Sequence, residues 1–209
     1  MHRRFSDLCG RTCWGRLVRR PSVGVLPGSL GAMTSGTSGR DLSVEIQPVV
    51  SGVRLERARV LLTEYLCLPL EGTQRSQPWR TEELGEALRD ELATLPGRYK
   101  APHGRLTIGV LDGNPVGCGA VSVHHRVAEL KRLYVRREAR SRGIGRALVE
   151  DAIDWARSFG CRQLRLDVWL ERKPAIRLYQ SLGFQPIEPY ETYPFDMVFM
   201  GLPLTRNET

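Results

Sequence analysis

Much that would direct this chain toward a membrane, a metal or a nucleic acid is missing. No apolar run among its 209 residues approaches the roughly 20 that a membrane helix needs, so no membrane partner is expected. The five cysteines form no CxxC pair, and none of the four histidines is placed to complete a zinc set. No metal site is expected, and Cys9, Cys13, Cys67, Cys118 and Cys161 read as free thiols of a reducing compartment. The basic excess that marks a nucleic-acid binder is also absent from most of the chain. The formal net charge is +8, but residues 1–40 carry seven arginines (Arg3, Arg4, Arg11, Arg16, Arg19, Arg20, Arg40) against one acid, Asp7. The other 169 residues hold 24 basic and 22 acidic side chains. That near balance gives no case for a duplex-binding surface.

What remains is an ordinary globular composition, 41% hydrophobic and 26% charged, long enough for one sizeable core. Residues 1–41 read as an Arg-, Gly- and Ser-rich extension without chemistry, expected to be disordered. Three origins stay open for it: a solvated arm, an organelle presequence, or translation from upstream of a true start at Met33. The expected compartment is the cytoplasm, with an organelle as the alternative through that segment.

Residues 42–206 read as one α/β domain. Val44–Gln47 alternates like a strand, and Val53–Leu66 has helical spacing. A second helix is expected over Thr81–Leu95, stopped by Pro96-Gly97. Arg105–Leu111 and Val116–Val123 flank the turn Asp112-Gly113-Asn114-Pro115 and predict a hairpin. Glu129–Val135 is the next strand. A helix follows on Ile144, Leu148, Ala152, Trp155 and Phe159, with Gly160 placed to end it. Gln163–Trp169 is a strand, and Ala175, Leu178, Tyr179 and Leu182 form a helix stripe ended by Gly183. Two short strands close the order, Phe184–Ile187 and Met197–Leu202.

Between strand Glu129–Val135 and the helix after it lies Arg140-Ser141-Arg142-Gly143-Ile144-Gly145-Arg146. Backbone N–H groups at a helix start lack intrahelical partners, and the helix dipole places about half a positive charge there. With two glycines and three arginines, this is a cradle for a phosphate or pyrophosphate. The sequence lacks GxxxxGK[ST], which excludes a Walker A loop. Leu148 stands where a dinucleotide fingerprint needs its third glycine.

The constellation is more specific than the GxG. Leu133-Tyr134-Val135 precedes Arg140-x-x-Gly143-x-Gly145, and Ala175-x-x-x-Tyr179-x-x-x-Gly183-Phe184 follows about 30 residues later. Over roughly residues 43–205 the chain resembles the GNAT superfamily of acyl-CoA-dependent N-acyltransferases, in particular single-domain bacterial members with a Glu-x-Lys-Arg-Leu-Tyr-Val strand. The resemblance implies a mixed, mostly antiparallel sheet of six to seven strands with about four helices, and two strands that splay at a bulge beside the acyl-CoA. It implies acetyl-CoA as cosubstrate. Leu133, Tyr134 and Val135 would offer backbone groups to the pantetheine arm and thioester. Arg140, Ser141, Arg142, Gly143, Ile144, Gly145 and Arg146 would hold the pyrophosphate. Many members carry asparagine where this chain has Arg172. Arg172 or Lys173 would instead meet a CoA phosphate or an acidic substrate.

The chemistry asks for a base, an oxyanion donor and an acid. A lysine-like amine of pKa about 10 is only about 0.1% neutral at pH 7, a cost of about 4 kcal/mol that a general base relieves in part. By the resemblance, Glu129 is the first candidate, acting through a water, and Asp167 the second. A strand N–H would stabilise the oxyanion, and Tyr179 would protonate the leaving thiolate. His103, Trp79, Tyr99, Tyr190 and Tyr193 are candidates to border the acceptor cleft, with core or rim packing as the alternative. The expected reaction is direct transfer of acetyl to a primary amine, most simply of a small molecule. The alternatives are a protein N-terminus or lysine, or acyl-CoA binding without turnover. A homodimer is left open.

Overall fold

The computed structural model describes residues 43–69 and 77–204; the expected extension, residues 1–41, lies outside them. Among the described residues seven strands and four α-helices follow the expected order: β1 (Val44–Pro48), α1 (Gly52–Cys67), α2 (Glu86–Thr94), β2 (Gly104–Leu111), β3 (Asn114–His124), β4 (Val127–Val135), α3 (Ile144–Ser158), β5 (Gln163–Trp169), α4 (Lys173–Ser181), β6 (Gln185–Pro186) and β7 (Met197–Pro203). They form one sheet in the order β1-β2-β3-β4-β5-β7-β6. Every neighbouring pair is antiparallel except β4 and β5. This is the mixed, mostly antiparallel α/β sheet that the resemblance implies.

The hairpins follow from two-residue loops with both residues at positive φ, whose twist matches that of the strands. Asp112 and Gly113 stand at +48° and +79° between β2 and β3. His125 and Arg126 stand at +47° and +65° between β3 and β4. His125 is thus part of a tight turn.

A helical layer covers each face of the sheet. On one, the α3 residues Val149, Ala152, Ile153 and Ala156 pack with Ala128, Leu130, Leu164, Leu166 and the α4 residue Tyr179. On the other, Ala58, Leu61 and Leu62 of α1 and Leu92 of α2 meet Leu106, Ile108, Cys118 and Ala120. Each fully buried Leu, Ile or Phe contributes about 1.5–3 kcal/mol. Among the described residues no helix is long and apolar enough to cross a membrane.

Three details differ from the sequence reading. The stretch expected as one helix over Thr81–Leu95 is a 3₁₀ turn, Thr81–Glu83, an extended Leu84 and then α2, which starts after Gly85. Glycine there breaks the first helix and begins the second. The α3 stripe bends away at its end: Trp155 is half-buried and Phe159, past the last turn, is exposed and stacks on Trp155 at 5.4 Å. Strand β6 is reduced to two residues.

Candidate active site

β4 and β5 pair for three residues only: Val127, Ala128 and Glu129 face Gln163, Leu164 and Arg165. Beyond Glu129 the strands part. β5 stays in the sheet through β7 as far as Trp169, and β4 stays through β3 as far as Val135. From Leu130 to Val135 the β4 edge toward β5 therefore has no strand partner among the described residues. Backbone N–H and C=O groups on such an edge demand a ligand or water. This is the implied splay, and Leu133, Tyr134 and Val135 lie on it.

A bulge sits within the splay. Cys118 faces Tyr134 while Ala120 faces Lys131, so two steps of β3 span three of β4. Arg132 takes up the extra residue at φ +59°, a left-handed conformation that costs a side chain about 1–2 kcal/mol. Leu130 and Leu133 both pack toward α3. Lys131 and Arg132 both find partners on the α1 and α2 side. The sequence did carry this signal: two leucines three apart, where a regular half-buried strand spaces them by two.

What holds the bulge was not anticipated. The Arg132 guanidinium donates to both carboxylate oxygens of Glu91 on α2, at 2.6 and 2.8 Å. Glu91 also accepts from Arg98 at 2.8 Å and from the Tyr99 hydroxyl at 3.0 Å. Burial favours a protonated Glu91, but Arg132 and Arg98 outweigh it and hold its carboxyl below the usual carboxylate range. Tyr99, a candidate for the acceptor cleft, is instead 1% exposed and serves this cluster. At the end of β4, Arg136 clamps Glu64 of α1 at 2.8 and 2.5 Å, and the Tyr134 hydroxyl donates to Glu64 at 3.3 Å. Burial and the Glu64 charge push the Tyr134 phenol up to about 12.

Both candidate bases face the same side of the splay. Glu129 sits at its apex, 8% exposed, and Asp167 lies two residues beyond the last β4–β5 pair. Lys131 joins them: its Nζ is 2.7 Å from Glu129 Oε1 and 3.2 Å from Asp167 Oδ1. Burial disfavours the ammonium, but the two carboxylates outweigh it and keep Lys131 above its ordinary pKa. Arg165 reaches Glu129 Oε2 at 3.4 Å and lies over the Tyr190 ring at 3.7 Å. Tyr190 donates to Asp167 at 3.4 Å. Glu129 Oε1 faces Lys131 without hydrogen-bond alignment. It and Arg165 Nε are the buried side-chain polar atoms without a hydrogen-bond partner among the described residues.

Tyr179 of α4 is 6% exposed, and no described residue hydrogen-bonds its hydroxyl. Burial pushes its phenol well above the ordinary value, with Tyr65 and Asp167 adding to the shift and Arg172 opposing it. It therefore remains a protonated donor, within electrostatic reach of Tyr65, Arg172 and Asp167. Tyr190 and Tyr193 also border this region: Tyr193 stacks near Phe195 and Phe199, and Tyr190 packs edge-on against Phe199, which faces Asp167 across the β5–β7 ladder. His103 does not; it packs on Phe159, at the end of α3 away from the glycine turn. Trp79 is 37% exposed in the stretch before the 3₁₀ turn.

The glycine turn has the geometry of an anion cradle. Gly143 caps α3 at φ +83°, and Ser141 stands at +61°. A Cβ at Gly143 would meet nothing within 4 Å, so the turn conformation rather than crowding requires glycine there. The Ala147 N–H donates the first bond of α3, to the Gly143 carbonyl at 2.9 Å. The N–H groups of Ile144, Gly145 and Arg146 precede it, at the positive end of the helix dipole. The Ile144 side chain is core, 1% exposed, so only its backbone belongs to the cradle. Arg140 donates to the Val135 carbonyl at 3.1 Å, Arg146 reaches Ser181 at 2.8 Å, and Arg142 is exposed without an ion pair among the described residues. These donors fit a pyrophosphate at the end of the splay.

The sequence profile of the Acetyltransferase (GNAT) family matches residues 67–184. The chain belongs to the GNAT family of acetyltransferases. It is 31% identical over 169 residues to an uncharacterized N-acetyltransferase of Schizosaccharomyces pombe, covering 78% of this chain and 97% of that one. It is 35% identical over 108 residues to an IAA acetyltransferase of Azospirillum brasilense, covering 49% of this chain and 70% of that protein. A 31% match over 125 residues to the human N-acetylaspartate synthetase covers 58% of this chain and 40% of that enzyme. A Staphylococcus aureus GNAT acetyltransferase has the same fold at TM-score 0.61 and 15% identity, over 78% of this chain and all of that one. So does a Salmonella typhimurium acetyltransferase solved with its cofactor acetyl-CoA, at TM-score 0.57 and 17% identity, over 79% and 96%. The GNAT chain is thus an acetyl-CoA-dependent acyltransferase. Acetyl-CoA supplies an activated acetyl group, and the glycine turn and the open β4 edge are the candidate parts of the fold to hold it.

Proposed function

We propose that this GNAT enzyme moves acetyl from acetyl-CoA to a primary amine of a small molecule by direct attack, with the Glu129–Asp167 pair as base and Tyr179 as acid. The observation that supports it most is the buried Glu129 carboxylate at the splay apex, whose Oε1 is ion-paired to Lys131 at 2.7 Å yet has no aligned hydrogen bond among the described residues. A water donating to that oxygen satisfies it and relays a proton from the amine to the carboxylate. Lys131, shared by Glu129 and Asp167, couples the two acids, so the proton is taken up by the pair. The open β4 edge supplies N–H donors to the acyl oxygen. The hydroxyl of Tyr179, kept protonated by burial, gives its proton to the thiolate. Arg140–Arg146 anchor the pyrophosphate by backbone N–H groups and charge. The relatives named for acetylating small molecules are consistent with a small acceptor, and the buried thiols of Cys67, Cys118 and Cys161 with a reducing cytoplasm.

The test is thiol release from acetyl-CoA across a panel of amines, amino acids and peptides, for the native enzyme and for Glu129→Gln, Asp167→Asn and Tyr179→Phe. Loss of a general acid or base lowers kcat about 10²–10⁴-fold. If Glu129→Gln and Tyr179→Phe both keep full turnover, these roles are wrong.

A further inference from the structure

The cations on the α1 and α2 side of the splay are, with one exception, already neutralised. Lys131 is held by Glu129 and Asp167, Arg132 by Glu91, Arg136 by Glu64 and Arg165 by Glu129. Arg172 alone in this group has no carboxylate within ion-pair distance among the described residues. It is half-buried at the residue that caps α4, and its guanidinium lies 5.3 Å over the ring of Tyr65 of α1. No hydrogen bond to a described residue uses its guanidinium N–H groups, and a guanidinium is a fork matched to a carboxylate. Its charge also reaches the Tyr179 hydroxyl, which Asp167 influences with the opposite sign. The candidate acid thus lies within electrostatic reach of a cation that has no carboxylate partner among the described residues and, on the β5 side, of Asp167.

The pyrophosphate is provided for elsewhere. Its donors are the start of α3 and the Ser141–Gly143 turn, and β4 feeds into them through Leu133 and Val135, which pack toward α3. Arg172 is turned instead toward α1, onto a tyrosine that itself packs against Tyr134 at 5.9 Å.

We propose, resting on the small-amine reading above, that the acceptor is an amine that also bears a carboxylate, such as an α-amino acid, and that Arg172 binds this carboxylate while the Glu129–Asp167 side receives the ammonium. Arg172 is then a specificity-determining residue. The fork holds the anion at the mouth of the splay and leaves the amine directed at the acyl group.

The experiment compares amino acids with their carboxamides, which keep the amine and remove the negative charge, for the native enzyme, Arg172→Gln and Arg172→Lys. The native enzyme is expected to prefer the acid by about 10- to 100-fold in kcat/KM, the value of a charge-assisted contact. Arg172→Gln brings the acid-to-amide ratio close to one, through KM for the acid, and Arg172→Lys restores part of it. KM for acetyl-CoA is followed in parallel. Equal use of acids and carboxamides by the native enzyme overturns the proposal. So does a variant that raises KM for acetyl-CoA while the acid preference persists, because Arg172 then serves the cofactor. If neither series is acetylated although acetyl-CoA binds in calorimetry, the small-amine reading falls and takes this one with it. Turnover without acid preference removes this proposal alone.

Discussion

Glu91 touches none of the residues proposed for proton transfer, yet its loss is expected to lower the rate. Glu91→Gln keeps the shape of the side chain and removes its charge. Arg132, 18% exposed in its side chain, then has no counter-ion, and Arg98 stands beside it. Breaking a buried ion pair from one side costs about 3–5 kcal/mol. The glutamine oxygen still accepts one hydrogen bond, so the expected loss is near the low end, about 3 kcal/mol. At about 2–4 °C per kcal/mol for a domain of this size, the melting midpoint should fall by about 6–12 °C, while net stabilities of about 5–15 kcal/mol leave the fold intact. The left-handed Arg132, φ +59°, is strained by about 1–2 kcal/mol. Without its clamp the strand gains by relaxing toward regular pairing, which moves the N–H groups proposed to face the thioester. Losing one oxyanion donor costs about 10²–10³ in kcat, so kcat should fall by that order with KM for acetyl-CoA little changed. Circular dichroism melts and thiol-release kinetics on an accepted amine measure both. Glu91→Gln combined with Arg132→Met replaces the stranded charge by an apolar side chain and should recover much of the midpoint, but not kcat. A melting midpoint unaffected by Glu91→Gln would show that the pair carries no stability. A lowered midpoint with kcat intact would show that the bulge does not depend on it.

Two more predictions follow from the same structure. Gly143→Ala should be paid for in backbone strain, since φ is +83° with open space around it; about 1–2 kcal/mol should appear as a weaker acetyl-CoA affinity by calorimetry, roughly tenfold, and an unchanged affinity would remove this turn from the cradle. Glu91 and Glu64 both titrate below their ordinary pKa, Glu91 because Arg132 and Arg98 overcome its burial and Glu64 through its hydrogen bonds to Arg136. The stability they provide is complete above the unfolded carboxylate value of about 4.3 and is lost as pH falls through their lower folded values. Acid titration by circular dichroism should therefore show a steep loss below about pH 4, less steep in Glu91→Gln; equal slopes would refute the assignment.

Sequence alone determined the element order and picked out the candidate anion cradle, because both rest on local signals. The spacing of Ile144, Leu148 and Ala152 makes a helix wherever the rest of the chain lies, and Asp112-Gly113 makes a hairpin turn through its own φ preferences. The Arg140–Arg146 segment lies between a strand and a helix, so its chemistry too is local. The candidate residues Glu129, Asp167 and Tyr179 were legible only through their spacing from that segment. Nothing local could show that Lys131 joins the two acids, since Lys131 and Asp167, 36 positions apart, are brought together only by the parallel β4–β5 start. Likewise Glu91 and Arg132, 41 residues apart, meet across the sheet face, and only that contact explains how an arginine is kept in a glycine-like conformation. Arg172 stood out in the sequence as a departure from asparagine, but its surroundings depend on α1 packing beside α4's first turn. The sequence thus set which groups are available and how far apart they lie along the chain. Where β4 and β5 part, which carboxylates share a cation and that Arg172 has no carboxylate partner among the described residues were decided by tertiary pairing, because register and burial depend on residues far apart in the chain.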